Sequence, residues 1–165
     1  MMPFPNARPL AGASLALALA FAGWSPASDA ANTRVQFIVP TAVCDAPLPQ
    51  YDASLRKRPR AIANEGTSSI YITCSAATDT ATDELDVNLT FVSNGPAAAI
   101  DCTMVSGTNN NPVYTIKSTD VYANGRDWIS FPSLTGTTYA LSCRLPPGVE
   151  MQELMLRERD AGGLL

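Results

Sequence analysis

The residues with the best-defined chemistry are four cysteines: Cys44, Cys74, Cys102 and Cys143. None lies close to another along the chain, so there is no Cys-x-x-Cys unit for redox catalysis or a zinc ribbon. A metal site built from all four thiolates is the sharper alternative. An even count behind a secretory leader implies two disulfides instead. Among the three possible pairings, Cys44–Cys74 with Cys102–Cys143 is preferred, and the other two stay open.

The remaining chemistry is sparse. The chain has no histidine, which excludes Ser-His-Asp and Cys-His catalysis and any zinc site that needs imidazole. It has no Gly-x-Ser-x-Gly nucleophile elbow. Asp79, Asp83, Glu84 and Asp86 cluster near a strand start. Calcium takes several oxygen ligands, but the cluster lacks the Asp-x-Asp-x-Asp-Gly loop, so a solvated loop is expected there, with Asp86 on the outer face of its strand. Carboxylate pairs could serve glycoside hydrolysis, which needs two acids at a fixed separation. With 15 acidic residues in the chain, pairs arise by chance. Tyr114, Tyr122, Trp128 and Tyr139 are the aromatic candidates for a sugar-stacking or protein-contact surface. Tyr122 and Trp128 flank the turn dipeptide Asn124-Gly125 and are the ligand-binding candidates. Tyr139 shares a strand face with Cys143 and belongs in the core. The basic run Arg56-Lys57-Arg58-Pro59-Arg60 reads as a solvated loop, with an anionic-surface contact or a protease site as its alternatives.

The elements that position these residues follow from patterning. Residues 1–30 read as a secretory signal: Arg8 is the sole charge of a short start, Leu10–Trp24 is Ala/Leu-rich, and Ser28-Asp29-Ala30 offers a cleavage site. The apolar run falls short of the ~18 residues of a membrane span, so the mature form is expected to have none. Residues 31–165 then form one domain. Its net charge of −4 carries no basic stripe, which argues against nucleic acid.

Strands are expected over Arg34–Val39, Ser68–Ser75, Leu85–Ser93, Ile100–Ser106, Val113–Lys117, Trp128–Phe131 and Thr138–Pro147. In Leu85–Ser93, Leu85, Val87, Leu89 and Phe91 alternate with Asp86, Asn88 and Thr90. A strand gathers such residues on one face, and a helix scatters them. Asn94-Gly95-Pro96 reads as the turn of an antiparallel hairpin over Leu85–Ser106. Ala46–Arg60 reads as a polar connection and Gly107–Pro112 as a loop. Val149–Arg159 has helical spacing and helix-favouring residues, but a closing strand is expected because it would follow seven others in one sheet system. Short strands between Gly/Asn/Pro turns, with two bridges, indicate an all-β fold: an antiparallel β-sandwich, jelly-roll or immunoglobulin-like, of about 7–8 strands.

The order of these segments carries a resemblance. A first cysteine after a short strand, a strand ending Ile72-Thr73-Cys74, then LDVNLTF, IDCTM and TYALSCRLPP, resembles a loose group of secreted bacterial proteins of unassigned function. Their last cysteine strand also runs Tyr-x-Leu-x-Cys-x-Leu-Pro-Pro. The likeness covers most of the mature chain. It implies a secreted or periplasmic, disulfide-bonded β-sandwich and carries over no catalytic residue. The expected function is non-enzymatic binding without a cofactor or metal, directed at a glycan or cell surface. A protein-binding accessory or inhibitor acting on an envelope or extracellular protein is the alternative, and a carboxylate-based hydrolase comes third.

Overall fold

The computed structural model describes residues 33–75, 78 and 84–159. The expected leader, Asp79 and Asp83 lie outside the described residues. The elements in order are β1 (Thr33–Ile38), a helical turn α1 (Pro40–Val43), β2 (Cys44–Asp45), β3 (Leu55–Arg58), β4 (Ala61–Asn64), β5 (Ile70–Ser75), β6 (Glu84–Ser93), β7 (Ala98–Thr108), β8 (Asn111–Val121), β9 (Arg126–Leu134), β10 (Ala140–Leu145) and β11 (Val149–Arg159). They form two antiparallel sheets. The six-stranded sheet runs β3-β4-β11-β6-β9, with β1 also paired to β11; the five-stranded sheet runs β2-β5-β10-β7-β8. Among the described residues no helix is long and apolar enough to cross a membrane.

The sandwich follows from alternation. Leu85, Val87, Leu89 and Phe91 of β6 are all buried, and so are Ile100, Cys102 and Met104 of β7 and Leu141, Cys143 and Leu145 of β10. Each set occupies every second position, so each strand turns one face to the core and one outward. Val149–Arg159 is a strand: it pairs with β6 over nearly its whole length, and Leu154 and Leu156 point inward while Met155 and Arg157 do not. Tyr139 is buried beside this core and its hydroxyl donates to the Gly136 carbonyl at 2.8 Å. Burial pushes its phenol pKa up, and the negative charge of Glu158 adds to the effect. Gly136 itself has φ of +125° and lies against Gly107 of β7, whose backbone would overlap any Cβ added there.

Five sequence expectations are corrected. Leu85–Ser106 is not a hairpin: β6 belongs to the six-stranded sheet and β7 to the five-stranded one. Their apolar faces meet across the core, and alternation alone does not separate strands that pair from strands that face one another. Gly107–Pro112 is not a loop, because β7 continues to Thr108 and β8 starts at Asn111, pairing from Thr108–Asn111 to Ala98–Val121. The stretch Ala46–Arg60 is not merely a connection, since it holds β3, which pairs with β4. Asp86 is on the outer face but is buried, ion-paired with Arg159 and accepting from the Ser133 amide at 2.9 Å. Eleven strands stand where seven or eight were expected. The additional ones are β2, β3 and β4, which have two to four residues each.

The flanks are closed by side chains from strand edges. At one flank Lys57 of β3 reaches Asp45 of β2 at 3.0 Å. At the other, Lys117 of β8 donates to the Ser130 carbonyl of β9 at 2.6 Å, and Thr119 donates to Asp127 at 2.8 Å. One end is tied by Asn64, 1% exposed, whose side-chain amide donates to the carbonyls of Leu145 at 2.8 Å and Ser68 at 2.9 Å. The Leu145 bond joins the two sheets, and it satisfies a polar group that would be costly to bury alone.

Both disulfides lie within the five-stranded sheet, on its inner face. Cys44–Cys74 links β2 to β5 and Cys102–Cys143 links β7 to β10, each between directly opposed residues with Cα atoms 4.0 and 4.1 Å apart. These are the preferred pairings. The double variant Cys102→Ala/Cys143→Ala is expected to lose about 2–5 kcal/mol of unfolding free energy, read from its urea midpoint. The Lys57–Asp45 contact predicts an acid effect. The hydrogen bond from Lys57, then that from the Ala46 amide, hold the Asp45 carboxyl below its ordinary value of 3.8. A carboxylate with a depressed folded pKa contributes stability above its unfolded pKa and loses it as pH falls through the folded value. Asp45→Asn is therefore expected to flatten the fall of stability below about pH 4, with the neutral-pH midpoint changed little; unfolding curves across that range measure it.

Candidate functional site

The geometry of interest lies on the outer face of the six-stranded sheet and begins with β11. One edge of β11 pairs continuously with β6. The other edge is shared: β4 takes Glu150 and Met151, and β1 takes Leu154 to Arg159. Gln152 and Glu153 fall between these two strands and pair with neither. The same step is a β-bulge, with the β11–β6 register shifting between Met151 and Glu153. A bulge re-aims the side chains beside it, and here both line a cleft of about 290 Å³ with Arg60, Ala61, Thr90 and Arg126.

Three of the neighbouring positions form a row. Glu153 is the register partner of Thr90, and Thr90 is the partner of Trp128. Their chain neighbours Leu154, Leu89 and Ile129 are buried, so the row itself faces outward. Trp128 is 66% exposed. Arg126, two positions before it, shares its face and donates to the Gln152 side-chain oxygen at 2.7 Å. Gln152 in turn donates to Glu150 at 2.5 Å, and Arg58 donates to the other Glu150 oxygen at 3.0 Å. This chain of bonds fixes the cleft wall from β9 to β3. Among the described residues, the side chains of Arg60 and Glu153 have no ion-pair or hydrogen-bond partner.

The sequence candidates sort as follows. Tyr122 and Trp128 are both strongly exposed, at 73% and 66%. Trp128 stands on the sheet face, whereas Tyr122 stands in the turn between β8 and β9. Of the basic run, Arg56 and Arg58 are held by Glu65 and Lys57 by Asp45, so three of its four cations face carboxylates. Glu84 pairs with Arg159 at 3.0 Å. Among the described residues no cluster of three cysteine, aspartate or glutamate side chains is placed to hold a metal.

Sequence reasoning missed Phe37 and Glu153, and held Arg60 only as part of the basic run. In β1 the outward residues are the apolar Val35, Phe37 and Val39, Phe37 at 68% exposed, while Ile38 packs against the core. Arg34, on the inner side, is held at 2.7 Å by Glu158, which is buried. Phe37 pairs with Met155 and shares the outer face with Trp128. It lies three strand spacings from Trp128, roughly 14 Å.

The five-stranded sheet offers a second surface. Tyr114 and Ile116 of β8 are exposed on its outer face, and Val113 is exposed at the same edge. Asp101, farther in, has its carboxyl lowered by the hydrogen bond from Ser118 and by Arg144 beside it.

No protein-family model matches the chain, and no curated protein matches it by sequence. Among solved structures, the chain is similar to the C-terminal CBM6 of LamC, a marine laminarinase from Zobellia galactanivorans, with TM-score 0.46, 6% identity, and coverage of 74% of this chain and 98% of that one. It is also similar to a Bacillus thuringiensis Cry1Da tryptic core variant, with TM-score 0.36, 6% identity, and coverage of 67% and 21%. A third is TmCBM61 in complex with β-1,4-galactotriose, with TM-score 0.34, 11% identity, and coverage of 78% and 84%.

Proposed function

We propose that this protein is a non-catalytic glycan-binding module, working in a secreted or periplasmic setting, and that its binding face is the outer face of the six-stranded sheet. The observation that carries this reading is Trp128: a large, rigid aromatic, two-thirds exposed on a sheet face and one register position from a polar cleft. An indole offers an apolar plane to the C–H face of a sugar ring at low entropic cost. The cleft supplies hydroxyl, amide, guanidinium and carboxylate groups for the ring's oxygens. Phe37 gives a second platform on the same face, and Tyr122 an outlying one at its end. Binding is favoured over hydrolysis because the cleft is lined by one carboxylate, Glu153. Its neighbour Glu150 is already engaged by Arg58 and Gln152.

The alternative, docking of a protein on the β8 edge, has Val113, Tyr114 and Ile116 in its favour. Against it, the same strand turns Lys117 inward onto β9, a device that discourages added strands.

The test is calorimetric titration of the full oxidised chain with soluble polysaccharides and oligosaccharides. Trp128→Ala is expected to weaken the best ligand about 30-fold, the loss of a ~2 kcal/mol aromatic anchor, with an unchanged melting temperature. Phe37→Ala and Tyr122→Ala should cost less. If Trp128→Ala binds as well as the parent while Tyr114→Ala/Ile116→Ala abolishes capture of an extracellular protein, the edge reading replaces this one.

A further inference from the structure

The charges around the cleft are distributed unevenly, and the distribution bears on which sugars fit. The protein is acidic overall, with 15 carboxylate side chains against 11 cations. Acids neutralise six of the ten described cations: Arg34 by Glu158, Arg56 and Arg58 by Glu65, Lys57 by Asp45, Arg144 by Asp101, and Arg159 by Glu84 and Asp86. Both cations that line the cleft escape this. Arg60, at the tip between β3 and β4, has no partner among the described residues. Arg126 is held by the neutral amide oxygen of Gln152, which fixes its position without cancelling its charge. Two guanidinium groups therefore face one carboxylate, Glu153, across about 290 Å³, a volume at the lower end of small-molecule sites.

Resting on the glycan reading above, we propose that the cleft takes an acidic saccharide, a chain containing a uronic acid, whose carboxylate is received by Arg60. A guanidinium presents paired N–H donors in a planar fork that matches a carboxylate. Arg60 is the cleft arginine with this fork free, and Arg126 adds positive potential from the opposite wall. Glu153 serves orientation. Its carboxylate accepts from sugar hydroxyls, and the two arginines of the lining outnumber it. Thr90 and Ala61 keep the space between them small-walled, and Trp128 stacks the ring that follows.

The experiment compares oligogalacturonate, oligoglucuronate and oligomannuronate, each with its carboxyl-reduced counterpart, for binding to the full disulfide-bonded chain, to Arg60→Gln and to Trp128→Ala. At low salt at least one uronate should bind about tenfold or more tightly than its reduced form, roughly the effect of one charge-assisted pair. That advantage should disappear in Arg60→Gln, which lies at an exposed tip and should melt like the parent, and should shrink as salt is raised. Trp128→Ala should weaken acidic and reduced forms alike. Equal binding of a reduced sugar and its uronate by the parent overturns the acidic preference and leaves the glycan reading intact. An unchanged uronate preference in Arg60→Gln overturns the role of Arg60. Tighter binding of sulfated oligosaccharides than of any uronate overturns the carboxylate assignment. Failure to bind any sugar of the panel or any neutral polysaccharide overturns both proposals together.

Discussion

The architecture depends on how β11 is hydrogen-bonded. Its edge toward β6 is continuous, and its other edge is divided between β4 and β1. Backbone N–H and C=O groups need partners wherever they are buried, so this division assembles the six-stranded sheet from three separate parts of the chain. It also leaves one step, Gln152–Glu153, outside both pairings. The cleft is a direct product of that step. Ordinary pairing along the whole edge would have filled it with a neighbouring strand, and the bulge would have had no open space to face.

Much of the fold was legible because its strands are long and cleanly alternating. β6, β7 and β10 each bury every second residue, and a period of two admits no helical reading. The two bridges were legible from parity and context. What alternation omits is the identity of the partner. β6 and β7 follow one another with matching patterns, yet they sit in opposite sheets. β4 was invisible because Ala61-Ile62-Ala63-Asn64 is short and has a single β-branched residue, although all four are buried. In β1 an ion pair between half-exposed Arg34 and buried Glu158 holds the charged side inward and leaves Phe37 outward. Of the proposed site, the sequence pointed to Trp128 and Tyr122 and held Arg60 within a basic run. Glu153 gains its meaning from where β4 and β1 stop, which no local pattern records.

Exposed strand edges invite further strands, and this molecule treats them alike at both flanks. Lys57 on β3 and Lys117 on β8 occupy positions whose adjacent residues face outward, and each bends across to the opposite sheet. A long side chain with a cationic tip can cover apolar surface along its stem and still find an oxygen partner. Side chains thus do at the flanks what a barrel does with backbone pairing. The two sheets keep open rims, and each rim is occupied.

Thr33 and Arg159 are opposed residues in the β1–β11 ladder. The first and last described residues therefore leave the sandwich side by side, at about the 4.5–5.5 Å separation of paired Cα atoms. A body whose ends meet can be spliced into a surface loop of a host protein without stretching it. It can equally be closed into a ring and reopened at the Asn109–Asn110 hairpin, on the five-stranded sheet. Either rearrangement would leave β11, its divided edge and the cleft in their present order.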